Sequence, residues 1–207
     1  MIVLTVDQRG SRREGNRVVG LLDELATRVP AGAPGVVRSF ERTVGDEVQA
    51  VLDDPTLAVD VALHLVRLGR WSVGIGVGPV DEPLPESARA GSGEAFVRAR
   101  SAVERAKNRA RPVPLAVVAG DADEGRPSEA VLTLLGSVLA RRSAAGWAVV
   151  DALIELTERG VGATQEDVAR HLGITQQAVS QRLRAALWAE EVAVRPVAAR
   201  LLAEGDA

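Results

Sequence analysis

Residues 164–187 read TQEDVARHLGITQQAVSQRLRAAL, the pattern of two short helices crossing at a sharp turn. Thr164 is placed to N-cap the first helix, with Asp167 three residues on, where a capping box carries its acidic member. Val168 and Leu172 give that helix an apolar side, and Gly173 supplies the positive φ that ends a helix abruptly. Thr175 caps the second helix, in which Val179, Leu183 and Leu187 recur every four residues and share one face. Ala169, Gly173 and Val179 stand where crossing helices need a small residue, a turn former and a core residue. The opposite face carries Gln176, Gln177, Ser180, Gln181 and Arg184. Such side chains hydrogen-bond base edges and phosphates from the major groove. Two amphipathic helices within some other helical domain are the plainer alternative. An ordinary surface helix, however, mixes acids into its polar face, and residues 175–189 contain no Asp or Glu.

The segment resembles the DNA-reading helices of MarR-like regulators and the promoter-reading segment of sigma factors. On this reading Gln176, Gln177, Ser180 and Gln181 face bases, with Thr175 at the helix start, and Arg182 and Arg184 touch phosphates. The expected partner is double-stranded DNA. One reading helix has a short footprint, so a homodimer spanning two half-sites about one DNA turn apart is expected.

Composition bounds the rest. At 207 residues the chain holds one large domain or two small ones. A net charge of −3 argues against indiscriminate coating of nucleic acid but leaves room for a local reader. With no tyrosine, two phenylalanines and three tryptophans, a base-stacking single-strand or RNA binder is not expected. No apolar run approaches the roughly 20 residues of a membrane span. The opening MIVLTVDQRG lacks a basic leader and a cleavage site, so no signal peptide is expected. Zero cysteines exclude disulfides and thiolate metal sites and fit a cytoplasmic protein. His64 and His171 are the two histidines, too few for a histidine-rich metal site; His64 reads as a packed or surface residue and His171 as a helix-terminal one. Lys107 is the single lysine.

Ahead of residue 120 the pattern alternates. Strands are expected at 2–6, 36–43, 47–52, 71–77 and 113–118, and helices at 18–29, 54–68 and 94–109. Gly45-Asp46 marks a hairpin between the second and third strands. This order is α+β, a ferredoxin-like domain elaborated by one more helix and strand. After a loop at 120–127 the pattern becomes wholly helical, with 128–144 and 145–159 as one long bent helix or two, broken at Gly146, a short strand or wing at 192–194, and a terminal helix at 196–204. The expected domains are therefore 1–122 and 128–207.

Two stretches of the first domain carry candidate chemistry. Asp7 sits at the exit of the first strand before the Gly10 turn, and Asp46 at the hairpin tip. Both are common as plain turn residues; converging, they suit a hard cation holding a triphosphate. Arg98, Arg105, Lys107 and Arg109 form a basic helix face, read as solvated with phosphate binding as the sharper alternative.

Asp7 with Gly10, Gly45 with Asp46, and WSVGIGVGPV at 71–80 resemble the class III nucleotidyl cyclase domain over residues 1–118. The hairpin is also similar to that of diguanylate cyclases. The resemblance implies a site for Mg²⁺ with a nucleotide at Asp7 and Asp46, with Arg42 at the base-selecting position and Arg98 near the phosphates. It also implies an Asn and an Arg four residues apart on the later helix, where this chain has Val97 and Ser101. Losing one such electrostatic contact costs about 10²–10³ in rate, so efficient cyclisation is not expected.

With VDQRGSR, FERTVGDEVQAVL and GEAFVRARSAVERAK preceding a helix-turn-helix, nearly the whole chain resembles the SatD family, whose members are DNA-binding regulators. The expectation is a transcriptional regulator with a catalytically degenerate sensor or dimerisation domain. The alternative is a metal-dependent nucleotidyl cyclase-type enzyme regulated by its helical tail.

Overall fold

The computed structural model describes residues 1–120, 125–160 and 163–205. In chain order its elements are β1 (Ile2–Gln8), α1 (Ser11–Glu14), α2 (Val18–Arg28), β2 (Val36–Arg42), β3 (Glu47–Leu52), α3 (Pro55–Leu68), β4 (Trp71–Val77), α4 (Glu94–Ala106) and β5 (Leu115–Val118). The helices α5 (Arg126–Arg141), α6 (Ala144–Glu158), α7 (Gln165–Leu172), α8 (Gln176–Ala185) and α9 (Trp188–Glu204) follow. The strands form one mixed sheet in the order β2-β3-β1-β4-β5, making the protein α+β. β1 is antiparallel to both β3 and β4, and β4 is parallel to β5. No helix among the described residues is long and apolar enough to cross a membrane.

β1 lies at the centre because its residues are apolar on both faces. Ile2, Leu4 and Val6 join the large core formed with α2, α3, α5 and α9, while Val3 faces α4. At the edge, β2 carries Arg38, Glu41 and Arg42 and its register with β3 slips twice, features that discourage pairing with another chain.

α4 packs on β4 more closely than ordinary side chains permit. A Cβ on Gly74 would stand 2.2 Å from the Val103 nitrogen, and one on Gly76 2.2 Å from the Ala95 carbonyl oxygen. Ala95, Ala99, Ala102 and Ala106 form the matching small-residue stripe, all buried. Gly-x-Gly in a strand followed by alanines at helical spacing is thus a packing motif, which the cyclase-like reading of this strand left aside.

The structure departs from expectation in several places. The break between α5 and α6 falls at Arg142-Ser143, because the Ser143 hydroxyl caps α6 by accepting from the Gly146 N–H at 3.1 Å. Gly146 lies inside the first turn, where a Cβ would stand 3.1 Å from the Arg142 side chain. No strand or wing occupies 192–194; α9 runs unbroken from Trp188 to Glu204 with Pro196 inside it. α4 ends at Ala106, short of the expected 109. The loop expected at 120–127 lies partly outside the described residues. Packing also crosses the expected domain boundary, since Leu132, Leu135 and Leu139 of α5 and Ala198, Ala199 and Leu202 of α9 belong to the sheet's own core. A separate small core holds α6, α7 and α8 together.

A buried polar network joins the two parts. Arg142 and Glu191 are paired with side-chain exposures of 0% and 1%. Arg142 also donates to the Ala186 carbonyl from Nε at 3.2 Å and Nη2 at 2.8 Å, gripping the C-terminal end of α8. Glu191 accepts from Arg195, whose Nη1 lies 2.5 Å from Asp60 of α3. The Trp147 ring lies between the guanidinium groups of Arg142, 4.4 Å from its centroid, and Arg67, at 3.7 Å. Arg67 in turn holds Asp151 through two bonds of 2.7 Å.

Gly76→Ala should destabilise by about 1–3 kcal/mol or more through overpacking. Gly20→Ala, in a helical position with nothing within 4 Å, should stabilise by roughly 0.8–1 kcal/mol. Denaturant midpoints of the pair measure both; equal midpoints would contradict the close approach of α4. Arg142→Met should cost about 3–5 kcal/mol by leaving Glu191 buried with one partner fewer, and replacing Glu191 with leucine as well should recover much of the loss.

Candidate functional site

The helix-turn-helix forms from local signals. The Thr164 hydroxyl accepts from the Asp167 N–H at 3.2 Å, and the Asp167 carboxylate accepts from the Thr164 N–H at 3.0 Å, closing the expected capping box. Hydrogen bonds from the Thr164 hydroxyl and backbone, then Arg170, hold the Asp167 carboxyl below its usual range. Gly173 ends α7 at φ 64°. Thr175 caps α8 by accepting from the Ala178 N–H at 3.1 Å, so its hydroxyl is already engaged in the fold. Val168, Ala169 and Val179 meet Val149 and Ala152 of α6 in the small core, with Leu172, Ile174 and Leu183 packed around them.

This packing turns Gln176, Gln177, Gln181 and Arg184 outward as exposed residues without a side-chain partner among the described residues. Ser180 and Arg182 are half-buried at the margins of the same face. Arg170 of α7 is exposed but paired to Glu166 and Asp167 on its own helix.

The residues expected to bind metal and nucleotide are only partly brought together. Asp7 lies within β1 rather than beyond its exit, opposite Glu47 of β3 and Ser72 of β4, so all three side chains lie on the α4 face of the sheet. Asp46 is adjacent: its carbonyl accepts from the Gln8 N–H at 3.2 Å. Arg42 does not reach Asp7; its Nε donates to the Gly45 carbonyl at 2.6 Å and closes the hairpin. Arg98 is at the other end of the sheet, bonded to the Val77 carbonyl at 2.7 Å and paired with Glu94. Ser72, the residue opposite Asp7, is five positions from Val77 along β4, or roughly 17 Å at the usual strand rise. Val97 is 70% exposed, so the position left without a donor turns to solvent.

The cation beside Asp7 belongs to the chain itself. Lys107 Nζ lies 3.0 Å from the Asp7 carboxylate and 2.7 Å from Glu104. The basic helix face is therefore not simply solvated, since Arg105 also bonds Glu129 at 3.0 Å. Burial raises the Asp7 pKa; Lys107 lowers it, while Asp46 and Glu47 push it up again. Burial works against the Lys107 charge, but hydrogen bonds to Glu104 and Asp7 prevail and raise its pKa. Among the described residues no group of three or more histidines, cysteines or carboxylates could hold a metal ion. A divalent cation at Asp7 would have to displace Lys107 beside several arginines, and the residues present do not fit it.

An open cleft of about 810 Å³ surrounds this pair. Three turns meet there: the exit of β1 at Arg9 and Gly10, the α3–β4 turn at Gly69 and Arg70, and the end of α4 at Lys107 and Arg109. The Arg9 N–H donates to the Arg70 carbonyl at 2.8 Å and ties the first two turns together. Gln8, Arg13 and Ser72 complete the polar lining. Sequence reading missed Arg9, Arg13, Arg70 and Ser72, which are scattered along the chain and meet only through the strand order.

Compared with known proteins, the chain matches no family model, no curated protein and no solved structure.

A titration separates burial from pairing at Asp7. Because its pKa is raised in the fold, ionising Asp7 costs stability as pH rises above the unfolded value near 3.8. The melting temperature of Asp7→Asn relative to the unsubstituted protein should therefore climb from pH 3.5 towards 6. A relative decline over that window would mean that Lys107 outweighs burial.

Proposed function

We propose that the protein is a DNA-binding transcriptional regulator, read out by α8 and governed by a catalytically degenerate, cyclase-like first domain. The observation that carries the reading is the α8 surface: three outward glutamines and an arginine, free of acids and presented on a self-contained three-helix core. Amide side chains at such positions read base edges in the major groove, and the arginines of the last turn suit backbone phosphates. The strand order β2-β3-β1-β4 with alternating direction supports a ferredoxin-like description of the first domain, with β5 added beside β4. The SatD resemblance of the sequence implies the same role. A homodimer supplies the second half-site that one short helix needs.

Val97 and Ser101 on α4, together with Lys107 on Asp7, favour sensing over turnover in the first domain.

The test is a mobility shift on the DNA upstream of the protein's own coding sequence at moderate salt. A sequence-preferring shift is expected, and its absence would remove the regulator reading. Arg184→Ala should weaken binding to all sequences alike and reduce the salt slope by about one. Gln177→Ala should instead relax preference at one base pair, where a good bidentate contact is worth about 1–3 kcal/mol.

A further inference from the structure

α9 reverses the usual arrangement of a surface helix. Its charged residues Glu191 and Arg195 face inward, to the network with α3 and α5, and Ala198, Ala199 and Leu202 join the sheet's core. On the opposite side Ala189, Val192, Ala193, Pro196 and Val197 are all exposed, and no charged side chain interrupts that side between Glu190 and Arg200. A helix with apolar residues on both sides is normally buried on both. Leu187, Val192 and Val197 are three of the seven large apolar side chains left exposed among the described residues, and they occupy one continuous segment. The other four, Val19, Val44, Val97 and Leu134, stand on separate elements. Contiguous exposed apolar surface marks an interaction site, which single scattered residues do not.

The charges that bound this face are complementary to each other. Glu190 has no partner among the described residues, and Arg200 makes one long contact, 3.7 Å to Glu204. A second copy of α9 laid antiparallel, on a two-fold axis level with Arg195, sets Glu190 opposite the partner's Arg200 and Ala193 opposite the partner's Val197. Glu204 then falls beyond the end of the partner's α9. A parallel pairing would instead set Glu190 against Glu190 and Arg200 against Arg200. The antiparallel register also suits the reading helices. Ala186, which ends α8, precedes the axis by about nine residues, so the two α8 ends stand roughly 27 Å apart along the pair. That is the scale of the DNA turn, about 34 Å, between half-sites.

We infer that the outer face of α9 binds the same face of a second copy of this chain, antiparallel about a two-fold axis level with Arg195. Val192, Pro196 and Val197 form the apolar centre, and Glu190 meets the partner's Arg200 at each end. The face is one helix wide and roughly 15 Å long, short of the roughly 800 Å² per partner that a standard stable interface buries. The pairing is therefore weak in free solution and is completed on DNA, where two half-sites hold the copies together. The half-site spacing rests on the regulator reading; the pairing itself rests on α9 alone.

Sedimentation equilibrium of the full chain at low salt and without DNA, from about 1 to 500 µM, tests it. A monomer–dimer equilibrium within that range is expected. Val197→Glu, at an exposed position, should weaken pairing about ten-fold or more by burying an unpaired charge. Glu190→Arg and Arg200→Glu should each weaken it about two- to five-fold through like-charge contacts. The two together restore complementarity and should recover the original constant within about two-fold, which also shows that these variants fold. A monomer throughout the range, a dimer indifferent to Val197→Glu, or a double variant no tighter than either single one would each overturn the inference. So would assemblies that keep growing with concentration, because a two-fold contact closes on itself. A protein that shifts DNA while monomeric at every concentration refutes this inference alone. One that pairs through α9 but shifts no DNA refutes the regulator reading and leaves the pairing as assigned.

Discussion

The buried Arg142–Glu191 pair is the constraint around which the two parts of the molecule are arranged. Removing two such charges from water costs several kcal/mol per ion, and their mutual attraction offsets that only when further hydrogen bonds complete the site. The surroundings are built accordingly: Arg142 faces the Trp147 ring and donates twice to the Ala186 carbonyl, while Glu191 also accepts from Arg195. One nitrogen of Arg142, Nη1, still has no partner among the described residues. An apolar pair of similar volume could fill this space, but it could not hold a carbonyl group. Holding the Ala186 carbonyl fixes where α8 ends against α5 and α9, and hence the angle at which the glutamine face is offered.

A second constraint acts on the opposite face of the sheet. Gly74 and Gly76 have no side chains to keep α4 away, and the buried alanines of α4 accept the contact. The helix consequently lies low over β4, and its C-terminal end brings Lys107 within 3.0 Å of Asp7. A larger residue at either glycine would lift the helix and withdraw the lysine. Packing at the centre of the sheet and charge at its end are thus one problem, solved by the same small side chains.

What could be read from the chain divides along these lines. The caps at Thr164 and Thr175, the Gly173 turn and the apolar positions Val168, Leu172, Val179 and Leu183 are signals a few residues apart, and they fold where the sequence places them; Leu187, expected on the same face, lies instead beyond the end of α8, at φ 51° and 42% exposed. The hairpin around Gly45-Asp46 and the order of strands and helices to residue 118 are local in the same sense. Misreadings arose where a local signal met a stronger tertiary one. Gly146 suggests a break, but Ser143 caps three residues earlier; Pro196 suggests a helix start, but α9 continues through it with Glu191 anchored before it. Arg98, expected near the phosphates of a nucleotide at Asp7, is placed by the strand direction at the far end of the sheet. The cleft was illegible because its arginines come from three turns that only the strand order brings together.

α3 touches both sites. Asp54 and Pro55 start it and Gly69 ends it in the left-handed conformation, leaving a continuous helix between. Asp60 and Arg67 reach the network that holds α9 and α6, while Leu68 and the following Gly69 and Arg70 line the cleft. Arg67 and Arg70 are three residues apart in sequence yet serve opposite ends of this arrangement. A ligand can shift α8 only through a difference in its affinity for two arrangements of the protein. A movement of the end of α3 would be felt there, because Arg67 cannot follow it without disturbing its stacking on Trp147 or its two bonds to Asp151. Trp147 also faces Arg142, which holds the end of α8. From the cleft to the end of α8 the contacts therefore run through one helix end, one tryptophan and one buried ion pair.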